Sequence, residues 1–415
     1  MRVMYSHCCG LDVHKKSVSA CLLAPDESGE MKQELRRFGT MTRNLLELSD
    51  WLAAHKVTHV AMESTGVYWK PVWNILEAQF TVLLVNAQHV KAVPGRKTDS
   101  KDCQWIADLL QHGLLRGSFV PPNPIRELRD LTRMRATLRQ DHTAVANRMQ
   151  KVLEDANIKL ASVATDWLGV SGRAILSRLL EGETDPEQLA NLCRGRLREK
   201  LPEMQLALEG RMNHHHRWML RHLQEQLEFL EKQIATLDAK IQEQTRVYQD
   251  VICLCTTIPG IEDVAAANLI AEIGFDMEQF GSAPQLASWA GMCPGNNESA
   301  GKRLSGKARN GCVWLRRSLC QAAWAASHSK NTYLAAQFRR IAARKGKKRA
   351  IVAVGHTILV ILYHMLKNRQ PYRDLGADYF DRRDADQVKR SLMRRLERLG
   401  FQVTIKELAA LSTPE

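Results

Sequence analysis

The chain has 415 residues, 45% hydrophobic and 25% charged, with 59 Lys and Arg against 45 Asp and Glu for a formal charge of +14. That length supports two or three domains with separate cores, and the basic excess points to a polyanionic partner, nucleic acid before membrane. The composition argues against three other classes. No apolar signal run follows Met1, since Asp12, His14, Lys15 and Lys16 interrupt it. The longest apolar stretch, Ala350 to Leu366, contains Gly355, His356 and His364; it is marginal for a bilayer and reads as a buried helix. The ten cysteines include no CxxC pair, which excludes the common zinc sites and leaves reduced thiols of a cytoplasmic protein.

In chain order, the first elements alternate. "VMYSHCCGLDV", "SVSACLLA", "THVAMES" and "FTVLLVNA" read as strands, and "TRNLLELSDWLAAH" and "YWKPVWNILEAQ" have helical spacing. Residues 1–120 are therefore an α/β domain, closed by the breaker "VPPNP" at Val120 to Pro124. A linker and long-helix region follows over 121–250. It opens with one basic helix from Ile125 to Ile158 whose Arg129 and Arg133 are candidates for nucleic-acid contact. It closes with a heptad seam at Leu220, Leu223, Leu227, Leu230, Ile234, Leu237 and Ile241. The seam suits a coiled coil, either as a hairpin with the 125–158 helix or between chains. "HHH" at 214–216 reads as a solvated helix face.

Residues 251–375 form a mainly helical domain. "IPGI" before a helix of small residues is like a helix-hairpin-helix, whose glycine turn offers backbone N–H groups to a phosphate. From Ser299 to Arg373 there are 17 Lys and Arg and no Asp or Glu. Solubility is better served by mixed charge, so this run predicts contact with a phosphate backbone. Its candidates are Lys302, Arg303, Lys307, Arg309, Arg316, Arg317, Arg344, Lys345, Lys347 and Lys348. Residues 376–415 are a basic tail with a short helix.

Four acids stand out in the α/β domain. Asp12 ends the first strand-like run and Glu63 a later one, while Asp99 and Asp102, spaced i, i+3, share one helix face. Taken singly, each suits a turn or a helix N-terminus. Taken together, they suit a divalent metal site for phosphodiester chemistry, with Arg96, Lys97 and Lys101 steering the polyanion toward it. Ser299 lies in a Gly- and Asn-rich loop beside Gly301, Lys302 and Arg303. Such a loop brings backbone and cations close to a phosphate, but a serine hydroxyl attacks only when its proton is taken or its target polarised.

"GLDVHK", "MESTGVYW", "GRKTDSKDCQWIADLL" and "CPGNNESAGKRLSGKARNG", in this order, resemble the insertion-sequence "one-ten" family of bridge-RNA-guided transposases. The likeness spans roughly residues 3–375. It implies an RNase H/RuvC-like domain whose Asp-Glu-Asp-Asp tetrad (Asp12, Glu63, Asp99, Asp102) holds Mg2+ or Mn2+. It also implies that Ser299 forms a covalent phosphoserine link with DNA. Many relatives have serine directly followed by glycine, whereas Ala300 intervenes here, which leaves Ser305-Gly306 as a second candidate. Further implications are donor and target DNA, a bridge RNA as guide, and a dimer or tetramer with composite active sites. The setting is a bacterial or archaeal cytoplasm, at the nucleoid and not in a membrane. The rival readings are a RuvC-like junction nuclease using metal-activated water, with Ser299 only binding phosphate, and a non-catalytic nucleic-acid-binding protein.

Overall fold

A computed structural model describes residues 3–26, 28–64, 66–86, 102–293, 297–299, 302–305 and 311–404. The chain divides into two compact units, Met1–Pro121 and Pro122–Glu415.

The first unit is built on one five-stranded sheet: β1 (Cys8–Val13), β2 (Ser17–Pro25), β3 (Met31–Gly39), β4 (His59–Glu63) and β5 (Thr81–Val85), in the order β3-β2-β1-β4-β5. The β1–β2 and β2–β3 pairs are antiparallel, and β1–β4 and β4–β5 are parallel. This mixed sheet is consistent with an RNase H-like domain. β1 is apolar on both faces because it is central and covered on both. Leu11, Val13, Val60 and Met62 pack on one side against α1 (Thr42–Ala54) and α2 (Trp69–Leu76), through Leu45, Leu48, Leu52, Val72 and Leu76. Cys8, Ala61 and Val85 pack on the other side against Ile106, Leu109 and Leu110 of α3 (Asp102–Gln111).

The strand reading misses β3. "MKQELRRFG" carries four charges and is exposed along most of its length, so it lacks the apolar alternation that marks a half-buried strand. It is an edge strand, and charge there discourages pairing with another chain.

Gly10 lies where β1 passes under α3. A Cβ there would collide with the backbone of Cys103 and Ala107, so only glycine lets this helix settle on the strand.

The second unit is helical apart from one hairpin. Its longest elements are α4 (Asn123–Asp155) and α6 (His214–Thr245), with α5 (Val170–Glu181) and short helices between them. α4 and α6 lie antiparallel: Arg135 pairs with Asp238, His142 with Glu231 at 3.1 Å and Asp155 with His216 at 2.9 Å. The heptad residues Leu220, Leu227, Leu230, Ile234 and Ile241 are buried, and Leu223 and Leu237 are half-buried. An intrachain hairpin therefore uses this face. Each buried leucine stabilises it by about 1.5–3 kcal/mol.

The histidine run departs from a uniformly solvated face. His214 and His215 are exposed, but His216 is buried; Asn213 accepts from its N–H, and its own Nδ1 accepts from the Asn213 N–H. This capping box fixes where α6 starts.

Beyond it come α7 (Gln249–Thr256), α8 (Asp263–Ile273), α9 (Ala283–Trp289), the strands β6 (Asn297–Ser299) and β7 (Lys302–Ser305), and α10 (Val313–His328). They are followed by α11 (Tyr333–Lys345), α12 (Lys347–Asn368), α13 (Tyr379–Arg383) and α14 (Ala385–Arg398). The Pro-Gly turn joins α7 to α8 with Gly260 at φ 86°, a conformation that suits glycine. Here too, a Cβ would strike backbone, that of Ala322 and Ala326 in α10. α12 is long and apolar enough to cross a membrane by length and composition alone; its Val354, Ile358, Leu359 and Leu362 face is buried in this unit.

Replacing Gly10 with Ala is expected to push α3 off the sheet and weaken the first unit by about 1–3 kcal/mol. Hydrogen exchange should show lost protection in β1 and α3, with protection in α4 and α6 unchanged.

Candidate functional site

Asp12 and Glu63 lie one residue past the last registered pair of two parallel strands, Leu11 opposite Met62. Side chains alternate across a strand, and Leu11 and Met62 face α1 and α2. Asp12 and Glu63 therefore share the opposite face, the one that carries α3. Gly10 lies against Cys103 and Ala107 while Cys8 lies against Ala107, so α3 runs back along β1 from the side of Gly10 nearer Asp12, and Asp102 is the first residue of that helix. Three of the four predicted acids thus belong to one end of the sheet, where strand ends and a helix start supply polar groups.

Hard carboxylate oxygens suit Mg2+ or Mn2+. Even so, among the described residues no three acids, cysteines or histidines are close enough together to hold a metal ion. Asp12 accepts instead from His14 Nε2 at 3.0 Å, with its side chain 22% exposed. Asp99, Arg96, Lys97 and Lys101 lie outside the described residues.

The thiols behind this end are buried. Burial pushes Cys8 up to about 12 and Cys21 to about 11, and raises Cys9 well above its ordinary value. All three stay protonated, which makes them packing groups.

The predicted serine is placed by the small hairpin of the second unit. β6 and β7 pair antiparallel, with Ser299 opposite Lys302 and Asn297 opposite Ser305. Ser299 thus ends its strand opposite Lys302, while Ser305 sits at the other end of the ladder. Lys302 and Arg303 are on β7; Lys307 and Arg309 lie outside the described residues.

The predicted basic contacts separate into two groups. Arg129 and Arg133 face inward on α4. Glu272 of α8 is 2% exposed, and Arg133 donates to both its oxygens at 2.7 and 2.8 Å. Arg129 donates to the Ala271 and Glu272 carbonyls at 2.9 and 2.8 Å, and the Cys312 thiol donates to Glu272 at 3.1 Å. Burial lowers the Arg129 pKa. It also acts on Arg133, but the Glu272 pairing prevails and raises that pKa. These two arginines are structural, a role that spacing along α4 does not reveal. Arg316 donates to the Gly291 carbonyl, which ties α10 to the end of α9.

Others of the group are available. Arg344, Lys345, Lys347 and Lys348 are exposed around Gly346, where α11 meets α12. Arg317 stacks over Trp314, 5.3 Å from the ring centre.

Sequence comparison adds to this geometry. Residues 9–158 match a profile described as "Transposase", and residues 254–339 match one described as "Transposase IS116/IS110/IS902 family". A protein of Pseudomonas aeruginosa named "Probable family 20 transposase" is 28% identical over 270 residues, covering 64% of this chain and 70% of that protein. The "Transposase for insertion sequence element IS1111A" of Coxiella burnetii is 25% identical over 329 residues, 78% of this chain and 81% of its own. The "Pilin gene-inverting protein" of Moraxella bovis is 23% identical over 380 residues, 88% and 96% of the two chains.

Glu272→Gln keeps the shape of the side chain but leaves two half-buried or buried guanidinium groups without their counter-charge. It is expected to cost about 3–5 kcal/mol and lower the melting temperature. The exposed Glu181→Gln should stay within about 0.5 kcal/mol of the parent.

Proposed function

Since the chain belongs to the IS110/IS116 family of insertion-sequence transposases, we propose that it cuts and rejoins DNA through a covalent serine–phosphate intermediate. The observation that carries this reading is the pairing of Asp12 and Glu63 at neighbouring parallel strand ends, on the sheet face where α3 begins with Asp102. These acids fall within one family-matched segment and Ser299 within the other.

Asp12, Glu63, Asp99 and Asp102 would hold the metal. A bound Mg2+ or Mn2+ ion supplies positive charge that offsets the carboxylates, the phosphate and the departing oxygen. Ser299 Oγ attacks the scissile phosphorus. An O–P bond forms, the bond to the 3′ oxygen breaks, the serine proton passes to a base or to solvent, and the 3′ oxygen is released as a hydroxyl. Attack by a new 3′ hydroxyl reverses these steps and frees the serine. The energy of the phosphodiester is retained in the protein–DNA link, so rejoining needs no external source.

Lys302 and Arg303, next to Ser299 in the hairpin register, supply charge for the pentavalent transition state. The exposed basic residues at Arg344, Lys345, Lys347 and Lys348 hold DNA by its phosphates. In this reading a bridge RNA sets the target by base pairing, as the family resemblance implies, so target sequence is not written in the protein. The acids of one protomer act with the serine of another in a dimer or tetramer, in the cytoplasm at the nucleoid.

Denaturing gels test the chemistry. Ser299→Ala should abolish the protein–DNA adduct, by about three orders of magnitude or more, while Ser305→Ala retains it. Free cleaved ends without any adduct would instead assign the attack to water. Asp12→Asn and Asp102→Asn should each abolish strand cleavage in magnesium while DNA binding persists; full cleavage by either removes that carboxylate from the site.

A further inference from the structure

A cleft of about 550 Å3 opens in the second unit between α4 on one wall and α8 and α10 on the other. Four arginines line it: Arg133, Arg135, Arg139 and Arg317. Two of them are neutralised within the fold, Arg133 by Glu272 and Arg135 by Asp238. Among the described residues, neither Arg139 nor Arg317 has a carboxylate within ion-pair distance.

Two unmatched guanidinium groups facing one cleft give it a positive potential that suits an anion. One position is also held in advance. Trp314 lies under the Arg317 guanidinium at 5.3 Å, so this cation is set before any ligand arrives. Between the cations, Gln140, Asn268, Ser318 and Gln321 offer neutral donors for phosphate oxygens.

From these observations we infer that the α4–α8–α10 cleft is a DNA-backbone site, in which Arg139 and Arg317 each contact a phosphate from opposite walls. A polyanion is favoured over a single small anion because each wall carries its own unmatched guanidinium, and successive phosphates of one strand satisfy both. DNA is favoured over RNA because every lining residue falls inside the two transposase-matched segments, and the unmatched stretch 159–253 contributes none. The inference rests on the transposase reading for the identity of the polyanion. It extends that reading to a wall, α4, whose Arg129, Arg133 and Arg135 are used to hold the fold.

The test titrates the full-length chain in EDTA with single-stranded DNA, duplex DNA and RNA of one sequence at several salt concentrations. Without divalent metal no strand is cut, so the result is independent of whether Ser299 is the nucleophile. Arg139→Ala with Arg317→Ala is expected to weaken DNA binding at least tenfold and to lower the salt-dependence slope by about two, one for each lost phosphate contact. Arg139→Lys with Arg317→Lys should restore the slope, because the charges return while the stacking geometry does not. A melting temperature equal to the parent's shows that the alanine pair is folded; if it is not, the lysine pair against Arg139→Gln with Arg317→Gln makes the same comparison. An unchanged slope in the DNA arms overturns the site, and a slope lost only with RNA overturns its assignment to DNA. Neither result touches the adduct test of the catalytic serine.

Discussion

The carboxylate of Glu272, almost wholly removed from solvent, governs the order of the helical unit. It receives Arg133 from α4 and the thiol of Cys312 at the start of α10, while Arg129 closes the same junction through the carbonyls of α8. A carboxylate in such surroundings is tolerable only with a fixed counter-charge, so the three helices must meet in one arrangement to satisfy it. The antiparallel pairing of α4 with α6 then aligns the rest of α4, and the polar contacts Arg135–Asp238 and His142–Glu231 pin its register. The cleft that opens beside this junction inherits its rigidity, since Arg133 is one of its walls.

At the other unit the governing constraint is steric. The closeness of α3 to β1 depends on the missing side chain of Gly10, and that closeness carries Asp102 to the end of the sheet where Asp12 and Glu63 lie. At that end Asp12 accepts from His14 Nε2 at 3.0 Å. Strand ends suit acidic side chains because the ladder has finished there and water can reach them.

The 59 Lys and Arg thus do not serve one surface property. Some are neutralised within the fold, as Arg133 is by Glu272 and Arg135 by Asp238. Others form the exposed corner around Gly346, where helix α11 turns into α12 and charges crowd without acidic neighbours in sequence. Two others, Arg139 and Arg317, face a cleft. Three uses of arginine coexist in one basic chain, and they differ in whether a partner carboxylate is built into the fold.

Local pattern determined a good deal on its own. The apolar runs of β1, β2, β4 and β5, the helical spacing of Thr42–Ala54, the breaker before Asn123 and the leucine repeat of Leu220–Ile241 were all legible, because burial imprints its period on neighbouring residues. The order of short motifs was enough to point to the family. What spacing left open was decided by contacts between residues far apart in the chain. Arg133 and Glu272 are separated by 139 positions, so nothing near Arg133 marks it as structural. β3 shows no period because it is an edge, and the leucine repeat names a buried face without naming its partner. The place of Ser299 opposite Lys302, with Ser305 at the far end of the ladder, follows from strand register. Register, like ion pairing, is a property of two segments at once, and only the folded chain brings the two together.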